Sequence, residues 1–298
     1  MVWGPAGAVK GRVLASAGAD RRDEQGGGVL ASSTPDALWA SPSARLVRPA
    51  AVACREVTRP PLLRRCSFRV APGVRLLIVG EPDESASLLV RVLAGLARPS
   101  SGRVVVAGIE GPEAARHGAR VSYLGREPGI HGWMTPREAV GLAASLLGLD
   151  APDAARRTAD ALAWVQIDER DLDRAVRRGG PALAQRVGLA AALVGDPEVL
   201  LLDEPLRALA EDDRERLLSI PGRRRSILLA SRYPRGDASL VTHVMLIRAG
   251  RVATLAPAGE LAAAGFPLSR EGIVTYADEH APRATAPPPG PGTAAPAR

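Results

Sequence analysis

The stretch PGVRLLIVGEPDESASLLVRVLAGLARPSSGRVVVAG, residues 72–108, decides the fold. LLIVG at 76–80 is a short apolar run closed by glycine, and SLLVRVLAGLA at 87–97 carries its apolar residues at helical spacing. The simplest reading is strand, loop, helix. RVVVAG at 103–108 follows as a β-branched strand with a glycine turn. Further out, residues 135–148 and 152–165 have helical patterns, and Thr135-Pro136 with Glu138 marks a helix start with Thr as N-cap. VGLAAALVG at 187–195 is another apolar helix. EVLLLDEP at 198–205 is uniformly apolar up to its polar end, as expected of a strand covered on both faces of a mainly parallel sheet. SILLAS at 226–231 and HVMLIRAGRVATL at 243–255 add further strands. Alternating strands and helices with buried strands give an α/β fold.

The flanks do not share this patterning. Residues 1–49 are rich in Gly, Ala and Ser with no sustained period, and 281–298 form a Pro/Ala tail; both are expected to be disordered. Whether 1–49 belong to the native product stays open. The foldable part is 50–280, a single domain with a helical subdomain expected at about 124–185.

Composition narrows the function classes. Hydrophobic residues make up 46% of the 298, enough for a sizeable core, while aromatics are only 3%. Scarce aromatics argue against base-stacking platforms. The net charge is +7, but 1–49 and 281–298 hold +2 each, so 50–280 carry +3 and a nucleic-acid partner is not expected. Two cysteines, Cys54 and Cys66, are too few for a disulfide framework or structural zinc site and read as small core residues. The four histidines lie far apart without metal-site spacing, and His243 at the head of an apolar strand reads as packed. No apolar run is long enough to cross a bilayer, and no secretory leader is evident, which makes the cytoplasm the default. Lys10 is the only lysine in the chain.

Four stretches resemble the ATP-binding-cassette (ABC) transporter ATPases, in family order, from about Pro72 to Leu255: residues 72–108, VSYLGREPGIHGWMTPREAV (121–140), QRVGLAAALVGDPEVLLLDEP (185–205) and SILLASRYPRGDASLVTHVMLIRAGRVA (226–253). The resemblance implies a P-loop NTPase-type cassette: a mainly parallel sheet, a small antiparallel β portion and a helical subdomain. It further implies ATP and Mg²⁺ as cofactors, a membrane permease subunit as partner with a second ABC subunit beside it, and a cytoplasmic place, peripheral at the inner face of the plasma membrane.

The same match exposes departures. A P-loop, GxxxxGK[ST], wraps backbone N–H groups around phosphates, with lysine on the β/γ-phosphates and the hydroxyl on Mg²⁺. Here Gly80-Glu81-Pro82-Asp83-Glu84-Ser85-Ala86-Ser87-Leu88 keeps Gly80 and the magnesium-site hydroxyl of Ser87, but Ser85 replaces the second glycine and Ala86 the lysine. Glu81, Asp83 and Glu84 bring three carboxylates to where a polyphosphate would lie. Like charges about 4 Å apart repel by roughly 4 kcal/mol at an effective dielectric near 20, less when solvated. The helix dipole offers an anion at most about 1–2 kcal/mol and is outweighed.

Other motif positions differ as well. The Q-loop glutamine aligns with Arg126, and the switch histidine with Arg232. The signature loop aligns with Gly179-Gly180-Pro181-Ala182-Leu183, so its serine becomes Gly180. Sliding by two recovers a Gly pair but no serine. Ala210 stands at the D-loop aspartate, and no aromatic lies between Ala51 and Pro61 to stack on adenine.

Walker B survives as Asp203, the Mg²⁺ carboxylate by resemblance, and Glu204, the general base. LLLDEP also reads as a purely structural strand and turn. The nucleotide-binding candidates are therefore Gly80, Ser85, Ala86, Ser87, Leu88, Arg126 and Arg232, with Ser87 and Asp203 for Mg²⁺ and Glu204 for catalysis. Arg126 and Arg232 either replace the lysine or neutralise the five acids around them, the latter being favoured. Arg223-Arg224-Arg225 reads as a solvated loop before a strand, with a phosphate or lipid-headgroup patch as the alternative. By resemblance, Trp133 and Met134 are candidates for docking a permease.

Two functional classes follow. One is a pseudo-ATPase with weak or no hydrolysis, the partner of a permease or cassette subunit. The other is an active ATP-hydrolysing motor subunit of an ABC exporter.

Overall fold

The computed structural model describes residues 50–111, 120–205, 225–234 and 241–280. The expectations for 1–49, 281–298, Ala210, Arg223 and Arg224 lie outside these residues. Two sheets organise the rest. An antiparallel sheet has the order β2-β1-β4-β5, from β1 (Val52–Arg59), β2 (Leu63–Val70), β4 (Ser101–Val106) and β5 (Ile109–Glu110). A six-stranded sheet has the order β10-β9-β3-β8-β7-β6. In it β3 (Arg75–Glu81), β6 (Val121–Leu124), β7 (Val199–Asp203), β8 (Ser226–Ala230) and β9 (His243–Arg248) run parallel. Only β10 (Arg251–Pro257) is antiparallel, closing a hairpin with β9.

The unbroken apolar runs are explained by this sheet. Successive residues of a strand face opposite sides. Leu77, Val79, Leu200, Leu202, Leu229, Val244 and Leu246 enter one core, while Leu76, Ile78, Leu201, Leu228, Met245 and Ile247 enter the other. All thirteen are 2% exposed or less. Each contributes about 1.5–3 kcal/mol by burial, so a polar residue without a hydrogen-bond partner would be costly at any of the thirteen. The first core is covered by α2 (Pro136–Leu146), α3 (Ala151–Trp164), α5 (Gly180–Leu193), α6 (Ala258–Ala263) and α7 (Arg270–Glu279); the short α4 (Glu169–Leu172) packs beside α2. The second holds α1 (Glu84–Leu93) and the inner face of the antiparallel sheet, including Cys54 and Cys66. Burial pushes the Cys54 thiol well up, as befits a core residue.

Several boundaries move. The helix read at 87–97 is α1, starting three residues earlier, because Asp83 already has helical φ and ψ. It ends at Leu93, since Gly95 turns into the left-handed region at φ 74° and Leu96 N–H reaches back to the Arg91 carbonyl. The helix read at 187–195 starts at Gly180. Arg225 is not a solvated loop residue: its side chain is 9% exposed and donates to the Pro197 carbonyl and Asp196. Met134 is buried in the first core, so it does not present a docking side chain, whereas Trp133 is 65% exposed and stacks on His131. His243 is buried, with Thr242 Oγ1 on its Nδ1, and burial lowers its pKa.

The helix start at Thr135 is a full capping box: Thr135 Oγ1 accepts from Glu138 N–H, and Glu138 accepts from Thr135 N–H at 2.8 Å. Thr135→Ala should therefore cost about 1 kcal/mol, read as a lower urea midpoint at unchanged m-value.

Candidate functional site

The residues singled out in the sequence converge on one edge of the parallel sheet. Gly80 is the last residue but one of β3, Arg126 follows β6, Asp203 ends β7 with Glu204 just after it, and Arg232 follows β8. This carboxyl edge is where open α/β sheets hold their ligands. Ser87 on the first turns of α1 reaches β7: its Oγ donates to Asp203 Oδ1 at 2.6 Å. Arg126 donates to the same Ser87 Oγ at 3.2 Å. A guanidinium thus stands beside the hydroxyl–carboxylate pair that the sequence assigned to Mg²⁺. Leu88 is half-buried on α1 and forms no polar contact.

The phosphate loop is closed on itself. Ser85 N–H donates to the Pro82 carbonyl at 3.0 Å, Ser85 Oγ to the same oxygen at 2.8 Å, and Ala86 N–H to the Asp83 carbonyl at 3.3 Å. Two N–H groups that a phosphate cradle would present are therefore engaged inside the loop. Ser85 is 0% and Ala86 3% exposed. A methyl group on Gly80 would stand 2.5 Å from Ser85 Oγ and 2.7 Å from the Pro82 oxygen, so the loop folds tightly against Gly80 and leaves no room for a side chain there. The residues present do not fit a bound polyphosphate.

Arginines fill the electrostatic role instead. Arg232 lies 3.2 Å from Glu84, 3.7 Å from Asp83 and 3.8 Å from Glu204. Its backbone N–H also donates to Glu204 Oε1 at 2.8 Å. The remaining neutralisers were not foreseen. Arg248, at the end of β9, donates to Glu81 Oε2 at 2.6 Å and to Asp278 of α7. Arg270, the first residue of α7, donates to Asp83 Oδ1 at 2.5 Å and to the Gly80 carbonyl at 3.0 Å. Helix α7 is thereby tied to the loop near both of its ends. Six carboxylates (Glu81, Asp83, Glu84, Asp203, Glu204, Asp278) meet four guanidiniums (Arg126, Arg232, Arg248, Arg270), a formal −2.

Glu204 sits at φ 54° with its N–H on the Ala230 carbonyl. Burial raises its pKa, and the Arg232 backbone bond and the Arg126 charge only partly oppose this. A raised pKa suits a general base, but this carboxylate already accepts from Arg232. Tyr123, also missed in the sequence, lies beside Asp203; burial and the Asp203 charge raise its pKa. Across the fold, the segment Gly179–Leu183 forms the entry to α5, with Pro181 and Ala182 exposed and no hydroxyl among them. Among the described residues, no three His, Cys, Asp or Glu side chains gather as a metal site.

Comparison with known proteins places this arrangement. The ABC transporter family profile matches residues 63–207. A taurine import ATP-binding protein of Sinorhizobium fredii is 30% identical over 213 residues, covering 70% of this chain and 75% of the relative. The chain belongs to the ABC transporter ATP-binding proteins. An aliphatic sulfonates import ATP-binding protein of Mesorhizobium japonicum is 36% identical over 197 residues, 62% of this chain and 69% of the relative. A solved ATP-binding subunit of an ABC transporter superposes with a TM-score of 0.64 at 20% identity, over 76% of this chain and 99% of its own, which shows the shared cassette fold. That family binds ATP and Mg²⁺; here the loop and metal pair are met by the chain's own side chains.

Two predictions follow from the network. Arg270→Gln should cost about 1–3 kcal/mol in urea unfolding, because Asp83 loses its closest charged donor. Asp83→Asn in that background should add less than it does alone, the mark of direct coupling. For Glu204, a carboxyl whose pKa is raised by folding stabilises below its unfolded pKa and loses that contribution as pH rises through the folded value. Glu204→Gln, which keeps the acceptor for Arg232 N–H, should therefore equal the parent in acid and be the more stable at neutral pH.

Proposed function

We propose that this chain is the ATP-binding-cassette subunit of a membrane transporter that associates with its permease without turning over ATP. The observation that carries this reading is the closed loop, with its N–H groups engaged and its phosphate side lined by carboxylates already held by Arg232, Arg248 and Arg270. Phosphate binding would require breaking these pairs against a formal −2 field and without a lysine. Glu204 and Asp203 then serve as structural acceptors rather than as base and metal ligand.

Several features support a permease partner. Trp133 is 65% exposed just before α2, and Leu142 and Leu146, one turn apart on α2, are 47% and 80% exposed. Apolar side chains left outside a core mark contact surfaces. No helix among the described residues is long and apolar enough to cross a membrane, so the membrane-spanning part would come from another chain. The relatives named above are import ATP-binding proteins, and we take import over the exporter role as the direction of transport. The protein would sit at the cytoplasmic face of the membrane through that permease. An active motor subunit is the second reading, favoured by the retained Asp203-Glu204 pair.

Calorimetry with Mg-ATP on the full chain separates the two. The parent should give no binding heat up to about millimolar ATP, an affinity weaker than about −4 kcal/mol. Ala86→Lys with Ser85→Gly, which restores the loop lysine and removes the Ser85–Pro82 hydroxyl bond, should bind partly. Micromolar binding by the parent would overturn the reading and restore a motor role.

A further inference from the structure

The modest charge of the folded part conceals an uneven distribution. Residues 50–70 and 98–111, which hold the whole antiparallel sheet, carry seven arginines against two glutamates, a net +5. Arg251 on β10 follows Gly250, whose carbonyl accepts from Arg64 N–H on β2, and brings this to +6, while 50–280 as a whole carry +3. The acids are thus gathered elsewhere, at the carboxyl edge and on the helices.

The strand register sorts the side chains. Cys54, Val57, Cys66, Phe68, Val104 and Val106 face the core at 5% exposure or less. The alternate positions put Arg55, Arg65, Arg69 and Arg103 on the outer face, with Arg55 directly opposite Arg103 across β1 and β4. Like charges in directly opposed positions of a sheet repel. The two acids are already engaged, Glu56 by Arg65 and Glu110 by Arg103 at 3.6 Å. Arg64, Arg69, Arg98 and Arg251 form no ion pair among the described residues, and three of these (Arg64, Arg98, Arg251) are exposed.

We propose that this outer sheet face, together with Arg64, Arg98 and Arg251 at its edge, is a contact surface for the headgroups of an anionic lipid bilayer. A guanidinium fork pairs with phosphate oxygens two at a time, and clusters of four to eight basic residues are the usual size of a surface that reads acidic lipid. The sheet offers these groups on a broad face rather than in a groove. Nucleic acid is the poorer occupant, because Phe68 is the only aromatic in residues 50–111 and is buried, which leaves no surface for base stacking. A protein partner is poorer too. Leu96 is the one exposed large hydrophobic residue in this part of the fold, and protein interfaces need an apolar centre.

The test uses the full chain with vesicles of phosphatidylcholine, alone or mixed with phosphatidylglycerol, and reads co-sedimentation. Binding should require phosphatidylglycerol and fall steeply with added salt. R64Q/R69Q/R98Q/R251Q should weaken it by about a hundredfold or more, and the same four positions changed to lysine should retain it. R137Q/R156Q/R170Q/R174Q, on the helical side, removes the same charge and should leave binding within a few-fold of the parent. Absence of binding to the mixed vesicles at low salt overturns the proposal. So does an equal loss from the two glutamine sets, or tighter binding of an oligonucleotide with the same sensitivity to the sheet variants. The vesicles contain neither permease nor nucleotide, so the outcome is separate from that of the ATP experiment.

Discussion

The constraint on which this cassette depends is charge balance at the carboxyl edge of its parallel sheet. Parallel strands bring their C-terminal ends to one side, and here those ends carry Glu81, Asp203 and Glu204, with Asp83 and Glu84 on the loop between. Left alone, such carboxylates would repel one another across a partly dry surface. The fold answers with arginines drawn from four separate places: after β6, after β8, at the end of β9 and at the start of α7. Each comes from a different part of the sequence, so the acids of the edge are offset only when the whole sheet and the last helix are in place.

This arrangement gives α7 a role beyond packing. Ile273, Tyr276 and Ala277 anchor it in the first core, while Arg270 and Asp278 connect it to the loop, the latter through Arg248. The apolar contacts fix where the helix lies; the ionic ones fix what the loop does. A ligand shifts an equilibrium only through its differential affinity for two states. On the proposed reading, a polyphosphate has little affinity for a loop whose N–H groups and cations are occupied, so the conformation here is governed by ion pairs and by ionic strength.

Much of this was legible in the sequence, for definite reasons. The run Val199–Asp203 could be placed because parallel strands are buried on both faces and leave a continuous apolar signal. Thr135, Pro136 and Glu138 announced a helix start because capping is local chemistry. Arg232 beside Asp83, Glu84 and Glu204 followed from motif alignment plus the need to pair acids. Arg248 and Arg270 did not, because they stand far along the chain from the loop they meet, and nothing in a chain with 38 arginines singles out two of them. Burial of Met134 next to the exposed Trp133 was likewise hidden, since adjacent residues in a turn diverge in ways that periodicity does not encode. The basic face of the antiparallel sheet was masked by counting charge along the chain rather than across it.

The two halves of the molecule therefore divide their charge for different ends. At the carboxyl edge, six acids face four arginines, and Arg232, Arg248 and Arg270 are each held by one or more of those acids. On the antiparallel sheet, arginines outnumber acids, and Arg55 and Arg103 lie directly opposed. Matched pairs reduce affinity for outside ions, because any newcomer must displace a partner already in place. Arginines that form no ion pair among the described residues, such as Arg64, Arg69, Arg98 and Arg251, raise it, because a newcomer has no acid to displace. On the two proposed readings, a phosphate-bearing partner would have to displace ion pairs at the loop but not at Arg64, Arg69, Arg98 and Arg251 beside the antiparallel sheet.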